Sequence, residues 1–319
     1  MIRLPKKLTD AHMRIIQAGA EIRTTPEPDP ADLAYMARQL VQATLPHSNP
    51  GKVESWSRRN GDLTLRIRPG WDHQRDRALG YPYGTIPRLL LFWITTEALR
   101  TRNRRLYLGN SLTAFMRDLG LSPETGGGPR SDARRLRDQM MRLFRAIISF
   151  DRVEDGKHRW LDMQIAPEGC TCFWWDFHDP GQEDLFSSWI DLNERFFQAI
   201  ISAPVPVDMR ALRALKRSSL ALDLYAFVSY RAFVATQNGR TQFVTWEQLM
   251  GQLGTDYGDV RDFRKKTKGA LRKIKEVFPG LRLGRKQGGI EILPGASAVP
   301  PRRPRRTALP PVDDESYPR

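Results

Sequence analysis

The chain is 319 residues long and carries 51 Lys+Arg against 36 Asp+Glu, a formal charge of +15. That excess points to a polyanionic partner. The most apolar window, IPRLLLFWITTEAL, is broken by Arg88 and Glu97 and falls short of the ~20 apolar residues of a membrane span. Two cysteines exclude a disulfide framework, and the N-terminal stretch lacks the apolar core of a signal peptide, so a cytoplasmic protein with no membrane partner is expected.

In chain order, residues 1–23 and 30–44 read as two amphipathic helices joined by the linker TTPEPDP. They either pack on the unit that follows or serve as an adaptor for other proteins. An apolar helix over 86–100 precedes the short helix FMRDLG and the connector TGGG. A basic helix begins near Arg134, followed by a hairpin whose arms IISF and RWLDMQI flank the turn Glu154-Asp155-Gly156. TCFWWDF reads as a buried strand and SAPVPVD (202–208) as a proline-stiffened linker. A second apolar helix (219–233) then leads to LMGQLG.

The stretch DVRDFRKKTKGALRKIKEVFPG (259–280) is a helix with Asp259 as N-cap and Pro279-Gly280 as stop. Val260, Phe263, Thr267, Ala270, Leu271, Ile274 and Val277 form its apolar stripe. Its other faces carry eight Lys and Arg with only Asp262 and Glu276 as acids, unlike a solvated helix, which mixes signs. LRL and IEIL follow as a hairpin around GRKQGG, and from Ala296 the Pro- and Arg-rich tail reads as disordered.

Catalytic signatures are missing. No G-x-x-x-x-G-K-[ST] occurs, and the five His are scattered. Cys170 and Cys172 with His178 make a poor zinc set, lacking a fourth ligand. Glu183-Asp184 reads as a solvated loop pair. Gly126-Gly127-Gly128 reads as a connector before a phosphate cradle. No enzyme activity, metal or cofactor is expected.

The chain repeats itself. FMRDLG (115–120) parallels LMGQLG (249–254) at an offset of 134, with Leu112 opposite Trp246. After a loop difference of seven residues, Ala133, Leu136, Leu143, Phe144 and Ile147 align with Val260, Phe263, Ala270, Leu271 and Ile274, while outward Arg134, Arg137 and Arg145 align with Arg261, Arg264 and Arg272. Each copy reads helix, short strand, helix, basic helix, hairpin, the order of a winged helix-turn-helix.

The expected fold is therefore α+β: tandem winged helix-turn-helix domains with an N-terminal helical extension and a disordered tail. The boundaries are 1–60 for the extension, 61–203 and 204–295 for the winged domains, and 296–319 for the tail. The third helix of such a unit enters the major groove of double-stranded DNA. Arg261 and Arg264 are the candidate base readers. Lys265, Lys268 and Arg272 are candidate phosphate contacts, and Arg134, Arg137 and Arg145 are the first-unit counterparts of Arg261, Arg264 and Arg272. Arg285 and Lys286 sit at the wing tip, where an exposed polar turn is the equal alternative. Arg302, Arg303, Arg305 and Arg306 add nonspecific affinity. Met116, Met250, Trp93, Phe227 and Tyr230 read as core, while Tyr81, Tyr83 and Trp71 either pack or stack on a base.

GYPYGTIPRLLLFWITTEALRT (80–101), LGNSLTAFMRDLGL (108–121), TGGG (125–128) and RRLRDQMMRLFRAI (134–147) resemble the plasmid-encoded RepA replication initiators of broad-host-range plasmids. RNGDLTLRIRPG (59–70) and PVDMRALRALKRSSLALDLYAFVSYR (206–231) are similar to them as well, so the resemblance covers roughly 46–294. It implies an initiator that binds direct repeats, called iterons, at a plasmid origin, helps open AT-rich DNA, and passes ATP-driven work to a host initiator, helicase and helicase loader. It also implies that the chain can form a homodimer through the first winged unit while monomers activate the origin, and leaves monomer or dimer open. A winged-helix repressor of its own gene is the alternative, and a DNA-nicking enzyme is disfavoured by the missing metal set.

Overall fold

The computed structural model describes residues 9–124, 128, 131–154, 157–167, 169–173, 188–254 and 256–300. The chain starts with α1 (Asp10–Thr24), a 3-10 turn (Pro30–Asp32), β1 (Leu33–Ala37) and α2 (Arg38–Gln42). Four strands follow: β2 (Trp56–Asn60), β3 (Leu63–Arg68), β4 (Gly70–Asp72) and β5 (Arg77–Gly80). Next come α3 (Thr85–Thr101), β6 (Arg105–Gly109), α4 (Leu112–Asp118), α5 (Asp132–Arg145), β7 (Ile147–Glu154), β8 (Lys157–Gln164), β9 (Thr171–Cys172) and β10 (Ser188–Asp191). The remainder is α6 (Glu194–Ser202), β11 (Pro204–Asp208), α7 (Met209–Leu215), α8 (Ser219–Asn238), β12 (Gln242–Thr245), α9 (Trp246–Gln252), α10 (Val260–Val277) and β13 (Gly289–Ile292). The architecture is mixed helix and sheet, as the α+β expectation has it.

The internal repeat has a structural counterpart. α4 and α9 begin and end at positions offset by 134, and α3 and α8 both close on a left-handed residue, Arg102 and Gly239. The hairpins differ. β12 pairs with β13, and Leu283 bridges to Ile292, so the first arm of this hairpin is a single bridge with flanking hydrogen bonds rather than a strand. In the first copy β7 and β8 pair from Ile147↔Gln164 to Glu154↔Lys157. β3 holds the other edge of β7 and β2 extends the sheet, leaving β6 to pair with β10.

Three expectations are corrected. Residues 30–44 are a 3-10 turn, a strand and a short helix rather than one helix. Within SAPVPVD, Pro204–Asp208 is strand β11, paired with β1 from Leu33↔Asp208 to Ala37↔Pro204. The cause is its alternation: Val205 and Val207 point into the core, and prolines without N–H groups are tolerated in a two-stranded ribbon. Of the tail, residues 296–300 are described and Ala298 packs on the core, so order extends past 295; residues 301–319, with Arg302, Arg303, Arg305 and Arg306, lie outside the described residues. So do 174–177 of TCFWWDF, His178, Glu183-Asp184, and Gly126-Gly127.

One apolar cluster runs from Ile15 to Ile292. At its centre lies α8, whose Leu220, Leu222, Leu224, Tyr225, Phe227 and Val228 are all buried, the pattern of a helix covered on every side. Met116 and Phe227 are buried, and Trp93, Tyr230 and Met250 pack against the cluster.

Across this core Arg88 of α3 meets Asp223 of α8. Arg88 is 2% exposed, and its Nε and Nη2 donate to the two Asp223 carboxylate oxygens at 2.7 Å each. Nη1 donates to the Gly84 and Pro46 carbonyls and Nη2 to the Leu45 carbonyl. His47 Nε2 lies 2.8 Å from Asp223 Oδ2. Burial alone would raise the Asp223 carboxyl, but the Arg88 charge and the His47 hydrogen bond outweigh it and hold it at about 2. The ionised carboxylate only accepts, so His47 is the donor. Burial, and then the Arg88 charge, lowers the His47 pKa below its ordinary value.

Arg88→Met leaves Asp223 buried without its counterion, and stability in denaturant titration should fall by about 3–5 kcal/mol. A histidine neutral when folded and protonated when unfolded adds stability above pH ~6.5 that is lost as pH falls toward its lowered value. The Asp223 contribution goes later, between pH ~4 and ~2. The apparent Tm should be flat from pH ~8 to ~7 and decline below ~6.5, and His47→Gln should flatten the first part of that decline.

Candidate nucleic-acid interface

α10 is fixed at its start by Asp259, whose side chain accepts from the Asp262 N–H at 2.7 Å. Phe263, Thr267, Ala270, Leu271, Ile274 and Val277 are buried along the expected stripe, packed against α8, α9 and α7. All eight Lys and Arg of the helix are exposed.

At 100° per residue these cations divide into two groups. α1 lies along the flank bearing Lys266, Gly269, Lys273 and Glu276. The approach is close: a Cβ on Gly19 would stand 2.3 Å from the Glu276 carbonyl oxygen, and Arg23 donates to that oxygen. Arg261, Arg264, Lys268 and Lys275 face away from α1, with Lys265 and Arg272 on the rim between. Among the described residues, Arg261, Arg264, Lys265, Lys268 and Arg272 have no ion-pair partner. Elsewhere on the surface Arg100, Arg104, Arg105 and Arg213 each hold a carboxylate. The exposed arc of α10 thus carries a dense run of cations with no carboxylate among them to offset it.

The turn that carries Arg285 and Lys286 adjoins this arc through Trp246. Its backbone N–H donates to the Gly288 carbonyl, and the Arg264 guanidinium lies 6.0 Å from its ring centroid. Lys286 is drawn back, with its ammonium 4.4 Å from the Phe243 ring and its N–H on Glu291. Arg285 stays exposed in the turn.

α5 repeats the build with a different outcome. Ser131 caps it, and Leu136, Met140, Leu143 and Phe144 are buried. Arg134 and Arg137 are exposed and Arg145 is half-buried. The β4–β5 hairpin lies across this outer face. A Cβ on Gly70 would come 2.3 Å from the Arg145 carbonyl oxygen, and Gly80, at φ +85, borders the Arg142 guanidinium. The three predicted arginines thus line a cleft together with Trp71, Arg75 and Arg77. Sequence reasoning missed this hairpin because three- and four-residue strands around a polar turn carry almost no periodicity. Tyr81 is buried, with its hydroxyl on the Val53 carbonyl. Tyr83 lies under Arg142, whereas Trp71 is 48% exposed.

Cys170 and Cys172 are not joined in a disulfide. Among the described residues no three His, Cys, Asp or Glu side chains are grouped to hold a metal, and no helix is long and apolar enough to cross a membrane.

Residues 81–248, a little over half of the chain, match the family model described as plasmid encoded RepA protein. The chain belongs to the plasmid-encoded RepA family. Membership supports a role as a plasmid replication initiator and suggests DNA binding. The match takes in α3, α4, α5 and α8, including both Arg88 and Asp223, and stops before α10. No curated protein and no solved structure matches this RepA chain.

Lys268→Ala should weaken binding to all DNA sequences and reduce the slope of log affinity against log salt by about one unit. Asp259→Ala should cost about 1 kcal/mol of stability in denaturant titration through the lost N-cap.

Proposed function

We propose that the protein is built of tandem winged helix-turn-helix units and initiates plasmid replication by binding direct repeats at the origin through the second unit, with α10 as its recognition helix. One observation carries this reading: the exposed arc of α10 gathers Arg261, Arg264, Lys265, Lys268 and Arg272 without acidic partners. An exposed helix of ~10–12 Å diameter fits a major groove ~12 Å wide. Arg261 and Arg264 read guanine edges bidentately, and Lys265, Lys268 and Arg272 hold phosphates. Arg285, in the turn beside Trp246, reaches the neighbouring backbone.

In this reading the boundary between the winged units falls near 203/204, and the chain itself performs no catalysis. It opens adjacent AT-rich DNA by binding, and a host initiator, helicase and helicase loader do the ATP-driven work. A dimer through the first unit would compete with origin binding. Repression of its own gene follows from the same recognition if a site overlaps the promoter.

Footprinting on DNA flanking the gene, with excess random competitor, should protect several evenly spaced direct repeats. A single protected palindrome over a promoter would instead favour a repressor. Arg264→Ala should reduce the preference for the repeat over random DNA by about 1–3 kcal/mol; an equal loss on both would remove Arg264 from base reading. Incubation of supercoiled origin plasmid with protein and a divalent metal should leave it supercoiled.

A further inference from the structure

The cleft between α5 and the β4–β5 hairpin is not used by the reading above. Its lining carries six arginines against two aspartates. Asp72 is engaged by Arg75, accepting from its backbone and guanidinium at 3.2 Å. Trp71 stands at the rim, one of the few large apolar side chains left exposed. Tyr83 and Arg142 stack just behind, with ring centroid and guanidinium 5.4 Å apart.

A duplex is a poor fit to this face. The major groove is about 12 Å wide, which one α-helix fills; α5 with two strands laid across its outer side is too thick to enter. A single strand has the opposite requirements. It needs a basic groove that follows the backbone and an aromatic face on which a base stacks. Trp71 supplies the face, and Arg134, Arg137 and Arg145 line the floor beside it.

We propose that this cleft binds single-stranded DNA, with Trp71 as the stacking platform and the α5 arginines on the phosphates. The proposal rests on the initiator reading for the source of the strand, which is the DNA opened beside the duplex held by α10. Contacts to the phosphates and to a π-face make the binding tolerant of sequence.

The test is fluorescence anisotropy of a labelled oligothymidylate of about twelve nucleotides, within the usual site size of such folds. The repeat duplex is titrated in parallel. Trp71→Ala should weaken the single strand about tenfold and Trp71→Phe should restore most of it, while the duplex stays within about twofold. Arg264→Ala should do the reverse. Because Trp71 is half-exposed, its truncation leaves the core intact, which an unchanged Tm verifies. Cross-linking of an iodouridine-substituted strand to wild-type protein should map to Trp71 and its neighbours.

The proposal is overturned if the wild type fails to bind the oligothymidylate, or if Trp71→Ala and Arg134→Ala each leave its affinity within about twofold. It is also overturned if the cross-link maps to α10. Loss of repeat footprinting with Trp71-dependent strand binding retained would remove the initiator reading and leave the cleft standing.

Discussion

The Arg88 guanidinium uses all of its hydrogen-bonding capacity inside the protein. It has five N–H donors, and the five bonds go to both oxygens of Asp223 and to the carbonyls of Leu45, Pro46 and Gly84. A buried arginine is tolerated only when each donor is satisfied. Here that condition ties together three pieces far apart in sequence: the helix under α5, the helix under α10, and the extended strap between α2 and β2. The strap is stitched further by the Thr44 hydroxyl, which accepts from the Gly254 N–H, and by the His47 N–H, which donates to the Gly254 carbonyl. Both basic helices stand on this assembly, α5 against α3 and α10 against α8.

Much of the second copy was legible in the sequence because its signals are local. A stripe at helical spacing, a capping Asp and an excess of one charge sign delimit α10 and its exposed arc within a residue or two. The repeat offset of 134 between α4 and α9 holds to the residue, though both helices start three residues before FMRDLG and LMGQLG, at Leu112 and Trp246. What was not legible depends on partners distant in the chain. PVPVD reads as a linker by composition and becomes a strand only because Leu33–Ala37 lies beside it. That α1 would flank α10 required knowing that Gly19 leaves room for the Glu276 carbonyl. Arg88, within an otherwise apolar window, read only as an interruption, though a lone charge there implies a buried acid elsewhere.

The two copies separate in character through what covers them rather than through their own sequences. α5 and α10 share cap, stripe and outward arginines, but one carries a hairpin across its face and the other a helix along its flank. A helix flanked on one side still presents an edge to a groove, whereas a helix crossed by strands presents a channel. Unequal covering gives two similarly built basic helices surfaces of different shape.

The strap and β1 also constrain how the protein is made. Chains emerge N-terminus first, and domains generally fold as units in that order. Here α1 must wait for α10, β1 for β11, and the strap for Gly254. Pairings this distant are slow to close. Assembly therefore completes only late in synthesis, because β12 must wait for β13 and the core for Ala298. An interrupted synthesis leaves a product without its central pairings: a chain that stops before α10 has neither the partner of α1 nor the helix that packs on α8.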